Sequence, residues 1–134
     1  MLLSAHRDAV RTFALDGLRA VEWQKGDGFA YPADYHPSKF AAGSFGLFPG
    51  TPEPVRIFFD KTVERFVRRR QWHPSQDIAR VPGGIELTMT VAPTADVASW
   101  VLSFGDRAQL LAPEVLRDRI AAELERAARA YGNN

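Results

Sequence analysis

The sequence VRIFFDKTVERFVRRRQWHPSQ, residues 55–76, passes from a strand through a helix to a turn. VRIFF is rich in β-branched and aromatic residues, which favours a strand. Asp60 is a residue type that caps helix N-termini, and apolar residues at helical spacing follow it. These are Val63, Phe66 and Val67. The pattern therefore predicts a helix over KTVERFVRRR, which ends in arginines next to Trp72 and a His-Pro-Ser turn.

The chain after this stretch predicts two strands, a helix, a strand and a last helix. Strands are expected at 77–82 and 85–91, around a Pro-Gly-Gly hairpin loop. Pro93 or Thr94 opens the next helix, and Gly105 is a good C-terminal stop. A short strand at 107–111 precedes a helix that begins near Pro113. The apolar stripes of the two helices are Val97, Trp100, Val101 and Phe104, then Leu116, Ile120, Leu124 and Tyr131.

The element order from residue 55 is strand, helix, strand, strand, helix, strand, helix. The first six elements have the order of a split β-α-β, ferredoxin-like domain, and the last helix is an addition. The sequence therefore predicts an α+β fold with an antiparallel sheet. The apolar face of the last helix is expected either to cover the rest of the protein or to pair with a second copy.

The segment before residue 55 predicts only part of a domain. Residues 9–15 and 18–23 alternate as two strands around Asp16-Gly17, a hairpin turn signal. A lone hairpin is marginal in water and needs further strands or a helix. Glycines and prolines then punctuate residues 43–54, which predicts a domain boundary there. Because this boundary segment also contains Phe45, Leu47 and Phe48, we expect it to be held on a surface.

The composition excludes several classes of protein. The chain has 134 residues, 46% hydrophobic residues, a formal net charge of +1 and no cysteine. This balance predicts no general affinity for nucleic acid or membranes, and the lack of cysteine excludes disulfides. No apolar run is long enough to span a bilayer, and the start MLLSAHRDAV does not resemble a signal peptide. A cytoplasmic protein is the expectation.

Four short motifs, in order along the chain, resemble one family. They are RTFALD at 11–16, GSFGLF at 43–48, RRRQWHPSQ at 68–76 and WVLSFG at 100–105. They resemble the C-terminal part of WYL-domain transcriptional regulators. Residues 1–50 resemble a partial WYL domain, and residues 55–134 resemble its C-terminal extension, the WCX domain.

The resemblance implies a fold and a function. It implies an SH3-like (Sm-like) barrel segment followed by a ferredoxin-like extension. In such regulators an N-terminal helix-turn-helix binds operator DNA, whereas the WYL and WCX parts sense a ligand and help dimerisation. The implied ligand is a nucleotide or single-stranded nucleic acid, and the implied assembly is a homodimer.

The sequence departs from that family in three ways. We expect no helix-turn-helix in this sequence, so operator DNA would be bound only through a domain outside it. We also do not expect the strands that the family has before Arg11, which predicts either a fragment or a natural short form. Finally, Gly17 stands where the family usually has a basic residue, which weakens a ligand pocket.

The candidate ligand-binding residues are mostly cationic or aromatic. Arginine guanidinium groups fork onto phosphates, and an adjacent aromatic ring stacks on a base. The candidates are Arg11, Arg19, Arg70, Trp72, His73 and Gln76. For most of them a structural alternative remains open. Arg11 would pair with Asp8, Glu22 or Asp34, Trp72 would belong to the core, and His73 and Gln76 would serve the turn.

The other arginines near the end of this helix have a simpler interpretation. Cations at a helix C-terminus complement its dipole, which contributes a few tenths to about 1 kcal/mol each. Arg65, Arg68 and Arg69 are therefore expected to form a solvated face.

The sequence does not favour an enzyme. His6, His36 and His73 lack metal-ligand spacing, and Ser44 does not lie in a nucleophile elbow. We therefore expect no catalytic residue, no metal and no cofactor. Two functions are favoured: a ligand-sensing and dimerising regulatory module, or a ligand-free dimerisation scaffold. A small hydrolase is a third alternative, and it would need a pocket with a carboxylate beside His73.

Overall fold

The computed structural model describes residues 2–4, 9–11, 18–22, 25–26, 28, 33, 43–46, 48 and 50–132. The chain divides into two compact units. The first unit is Met1–Tyr35, and the second is His36–Asn134.

The first unit contains a short antiparallel pair of strands. Strand β1 (Leu2–Ser4) pairs with β2 (Ala9–Arg11), and Leu2 lies opposite Arg11. The predicted returning strand from Leu18 is wrong over residues 18–22, which are exposed and form no strand. In the described residues β2 pairs with the preceding strand β1, and residues 18–22 pair with no described strand. The predicted Asp16-Gly17 turn lies outside the described residues, and the SH3-like description stays a prediction.

The described residues of the second unit form seven main elements in the predicted order. They are β3 (Glu53–Asp60), α1 (Lys61–Arg68), β4 (Asp77–Val81), β5 (Gly84–Val91), α2 (Ala95–Leu102), β6 (Ala108–Ala112) and α3 (Glu114–Gly132). A single 3₁₀ turn, Gly105–Arg107, separates α2 from β6. The α+β class is thereby confirmed.

The four strands of this unit form one antiparallel sheet in the order β4-β5-β3-β6. The two strand-helix-strand segments, β3-α1-β4 and β5-α2-β6, are therefore interleaved. In the centre of the sheet Ile57 lies opposite Leu87 on one side and Leu110 on the other. The finer, ferredoxin-like description stays a prediction.

The core of this unit lies on one face of the sheet. Strand side chains alternate, so that Val55, Ile57 and Phe59 of β3 are fully buried. The helices add residues of their apolar stripes, and all of these pack in one cluster: Val63, Val67, Val97, Val101 and Phe104. Helices α1 and α2 thus cover this face of the sheet.

The opposite face of the sheet carries charged residues. Arg56 donates to Glu86 at 2.7 Å, and both side chains are partly exposed to water. The hydrogen bond from Arg56 holds the pKa of the Glu86 carboxyl below its usual range. The polar pair is consistent with a sheet that buries only one of its faces.

Helix α1 begins with the predicted cap. The carboxylate of Asp60 accepts the backbone N–H of Thr62 at 2.8 Å. Hydrogen bonds from Thr62 hold the pKa of this carboxyl below its usual range. Three residues after the last residue of α2, Gly105 has a φ of 61°, a backbone conformation that glycine adopts at little cost. Both helix limits follow from local sequence signals.

The apolar stripe of α3 is only half covered. Leu116 and Ile120 are buried, whereas Leu124 is 49% exposed and Tyr131 is 85% exposed. The first half of the helix therefore packs on the second unit, and its second half presents apolar side chains to solvent.

The segment before β3 is held on the second unit, as its aromatic residues suggested. The carbonyl of Gly43 accepts the N–H of Ala92 at 2.9 Å, and the N–H of Phe48 donates to Asp96 at 3.1 Å. The ring of Phe45 packs 4.9 Å from the ring of Trp100. The structured unit thus begins before the first residue of β3.

Candidate functional site

The corner between α1 and β4, residues 69–76, contains four of the six predicted ligand-binding residues. It ends in a turn, in which the N–H of Gln76 donates to the carbonyl of His73 at 3.1 Å. The structure brings Arg70, Trp72, His73 and Gln76 together in this corner because they lie within seven residues of sequence.

The amide of Gln76 fastens the corner from inside. Its Oε1 accepts the backbone N–H groups of Trp72 at 2.5 Å and His73 at 3.2 Å. Its Nε2 donates to the carbonyl of Arg70 at 3.3 Å. Backbone groups in a tight corner need such partners, so Gln76 acts here as a turn residue.

His73 is buried, and its imidazole is part of the same turn. Its Nδ1 accepts the backbone N–H of Ser75 at 3.1 Å and lies 2.7 Å from the Ser75 hydroxyl. That hydroxyl accepts the N–H of Thr90 at 2.9 Å, which ties the turn to the end of β5. The imidazole therefore helps to fix the corner against the sheet.

Trp72 packs against the core and also closes the end of α1. Its Nε1–H donates to the carbonyl of Val67 at 2.9 Å, and that carbonyl lies in the last turn of the helix. Its ring lies 4.7 Å from Trp100 and 5.7 Å from Phe66. These contacts correspond to the core alternative for Trp72, although the ring is only partly buried.

Arg70 is one of the exposed residues of the corner. Its guanidinium lies 5.2 Å from the ring centroid of Phe66 and 5.7 Å from that of Trp72. Such cation–π contacts are worth about 0.5–1 kcal/mol at an exposed site. The Phe66 ring is itself 45% exposed, so a cation and an aromatic face are presented to solvent together.

Phe66 was missed as a candidate because its helical spacing assigned it to the core stripe. The signal that was available is its position four residues before Arg70, which places the two side chains near each other on a helix. Arg70 and the neighbouring Phe66 thus present a cation and an aromatic ring side by side on the accessible surface.

The remaining two predicted residues belong to the first unit. Arg11 is the last residue of β2, and its side chain lies outside the described residues. Arg19 is exposed in the irregular segment 18–22. Their part in ligand binding stays a prediction.

A second cationic surface lies between α1 and β4 and is called here the α1–β4 groove. It is a shallow groove of about 430 Å³, and all of its lining residues are charged: Lys61, Glu64, Arg65, Arg68, Arg69 and Arg80. Glu64 accepts from Arg68 at 2.7 Å and lies 3.9 Å from Arg80. The groove therefore combines five cations with one carboxylate.

Sequence reasoning described only part of the α1–β4 groove. Arg65, Arg68 and Arg69 were expected to form a solvated helix face, and they are exposed. The helical spacing between Lys61 and Arg65 indicates that both lie on the same face of α1. Arg80 is on β4 and reaches the groove only through the tertiary fold, so no local sequence signal assigns it there.

Among the described residues, no three of the metal-ligating types His, Cys, Asp and Glu come together as a metal site. In the same part of the chain, no helix is sufficiently long and apolar to cross a membrane.

The sequence of the chain can be compared with known proteins. No curated protein matches the chain. A family model described as the WCX domain matches residues 51–128, which is more than half of the chain. The match extends from the residues before β3 into α3, and it includes both the corner and the α1–β4 groove. The chain therefore belongs to the WCX domain family.

Proposed function

We propose that the chain is a regulatory module: the ligand-sensing and dimerising C-terminal part of a bacterial WYL-type transcriptional regulator, without catalytic activity. Membership of the WCX family supports this proposal, because the WCX domain is a C-terminal domain of WYL-type regulators. In this proposal the chain acts in the cytoplasm and transmits the bound state of a ligand to the rest of a regulator.

The proposed ligand is an anion that carries an aromatic ring, such as a nucleotide or a segment of single-stranded nucleic acid. The observation that supports it is the guanidinium of Arg70 beside the exposed ring of Phe66. A base stacks on such a ring, and a guanidinium donates two parallel hydrogen bonds to a phosphate. In this arrangement Trp72, His73 and Gln76 hold the corner in place, and Arg70 and Phe66 contact the ligand.

The first test is a titration of the protein with a labelled single-stranded oligonucleotide at low salt. Removing the Arg70 guanidinium in Arg70→Ala is expected to weaken binding about tenfold or more, because a charge-assisted contact is worth about 1.5–3 kcal/mol. Arg11→Ala is expected to weaken binding as well, since the family resemblance implies that Arg11 contacts an anion. Fluorescence anisotropy measures both effects.

The matched control is Arg126→Ala, which removes one exposed arginine from α3. It changes the net charge by the same amount and should leave the affinity unchanged. The proposal for the corner is wrong if the wild-type protein does not bind at low salt, or if Arg70→Ala binds as the control does.

A ligand-free dimerisation scaffold is the alternative, and the exposed apolar side chains of α3 favour it. Leu124 and Tyr131 would be buried if α3 paired with the same helix of a second copy. Light scattering is expected to give a dimer, and Leu124→Glu with Tyr131→Glu is expected to give a monomer. A stable dimer that binds no oligonucleotide would support the scaffold over the sensor, whereas a monomeric wild type would exclude it.

A further inference from the structure

We propose that the α1–β4 groove is a separate docking surface for double-stranded nucleic acid, which it holds by the phosphate backbone without reading the sequence. This interaction goes beyond the proposed ligand sensing, since it uses a different surface and a different ligand.

Positive charge is concentrated in the α1–β4 groove. Five cationic side chains and one carboxylate line the α1–β4 groove, so its local charge is +4. The whole chain has a formal charge of only +1, and the remainder of the protein is therefore net acidic. A surface of this sign attracts a polyanion although the protein as a whole has little net charge.

The carboxylate at the centre of the groove, Glu64, leaves most of this positive charge free to attract a polyanion. Glu64 is the one acidic residue among those that line the groove, and its two partners are Arg68 and Arg80. Arg80 is 3.9 Å away with a side chain that is 85% exposed, which is a weak contact in water. Polyanion binding would therefore displace little that is favourable.

Over the described residues, the α1–β4 groove lacks the stacking surface that a single strand would need. All the described residues that line it are charged, and none offers an aromatic ring on which a base could stack. Proteins that bind single strands combine positive charge with such rings. A duplex has already stacked its bases and presents phosphates outward, so it is the nucleic acid that charge alone can hold.

The length of the groove is also suitable for binding a duplex. Lys61 and Arg68 are seven residues apart on α1, which corresponds to about 10 Å along the helix axis. A duplex carries one negative charge per ~1.7 Å of its axis on its two strands together, so this length contains about six phosphates, of which those on one side face the groove. Several cations of the groove can therefore contact phosphates at the same time.

The test is a fluorescence anisotropy titration of the full chain with a labelled 20-base-pair DNA duplex of arbitrary sequence, at several salt concentrations between 50 and 200 mM. With about four phosphate contacts, the slope of log K against log salt is expected to be about −3.6. A second duplex of unrelated sequence should bind with the same affinity. In the Arg70→Ala variant, which lacks the corner contact, the isolated single strand should bind more weakly than the duplex.

The diagnostic variant is Arg65→Gln with Arg69→Gln, since both side chains are exposed and lie in the groove. It is expected to reduce duplex affinity at least tenfold and to make the salt slope shallower by about 1.8, which corresponds to two lost contacts. The matched control, Arg119→Gln with Arg126→Gln, removes the same charge from exposed positions on α3. It should leave both quantities unchanged.

Several outcomes would overturn this proposal. They are no duplex binding at 50 mM salt, an equal loss in the two double variants, a preference for the single strand in Arg70→Ala, or binding to anionic phospholipid vesicles in place of the duplex. Because Arg70 does not line the α1–β4 groove, Arg70→Ala should retain duplex binding. Failure here is therefore distinguishable from failure of ligand sensing at the corner.

Discussion

Gly84→Ala is expected to lower the free energy of unfolding by about 3 kcal/mol, the upper end of the usual cost of overpacking. Gly84 is the buried first residue of β5 and pairs with Asp60. A Cβ atom at this position would overlap the carbonyl oxygen of Phe59. Because that oxygen belongs to the backbone of a central strand, the overlap can be relieved only by shifting β3 or β5.

Chemical denaturation followed by circular dichroism measures this change, and two other glycines calibrate it. A Cβ on Gly132, at the end of α3, meets no atom within 4 Å, so Gly132→Ala should be close to neutral. Gly105→Ala also meets open space but must adopt a φ of 61°, at a cost of about 1–2 kcal/mol. The packing of β3 against β5 would be wrong if Gly84→Ala were as stable as Gly132→Ala.

Trp72→Ala is expected to have a destabilising effect of similar size, about 3 kcal/mol, at the lower end of the range for removing a large aromatic side chain. The ring packs against Trp100 and Phe66, and its Nε1–H closes the end of α1. The substitution therefore removes both apolar packing and a hydrogen bond. It should loosen the corner as well as lower the stability of the whole unit.

The conservative variant Trp72→Phe separates these two contributions. It keeps an aromatic ring and loses the hydrogen bond to Val67, so a loss of about 1 kcal/mol is expected. Equilibrium unfolding in urea, followed by circular dichroism, gives both values. If Trp72→Ala kept wild-type stability and lost only oligonucleotide binding, the ring would be a ligand contact and the core interpretation would be wrong.

The fold of the second unit could be predicted from its sequence because its signals are local. Asp60 marks the start of α1, and Gly105 lies just beyond the end of α2. The spacing of the apolar residues matches the strands and helices that form. The fold of the first unit was harder to predict, because strands that pair need not be neighbours in sequence. The alternation from Leu18 suggested a strand, but β2 pairs with the residues that precede it.

The candidate site was predictable to the same extent. Trp72, His73 and Gln76 lie next to one another in sequence, so their meeting in one corner required no tertiary information. Whether each one faces the ligand or the corner depends on its hydrogen bonds, which the sequence does not reveal: Trp72 to Val67, His73 to Ser75, and Gln76 to the backbone of the corner. The α1–β4 groove depends on Arg80, a residue that only the folded sheet brings beside α1.

The most direct test of the account is an NMR titration of the ¹⁵N-labelled chain with a single-stranded oligonucleotide at 50 mM salt. The central claim is that Arg70 and Phe66 contact the ligand, whereas Gln76 stays inside the corner. The Nε–H signal of Arg70 is therefore predicted to shift with saturation, while the side-chain amide signals of Gln76 remain in place. An Arg70 signal that does not move, or shifts confined to α3, would contradict the claim.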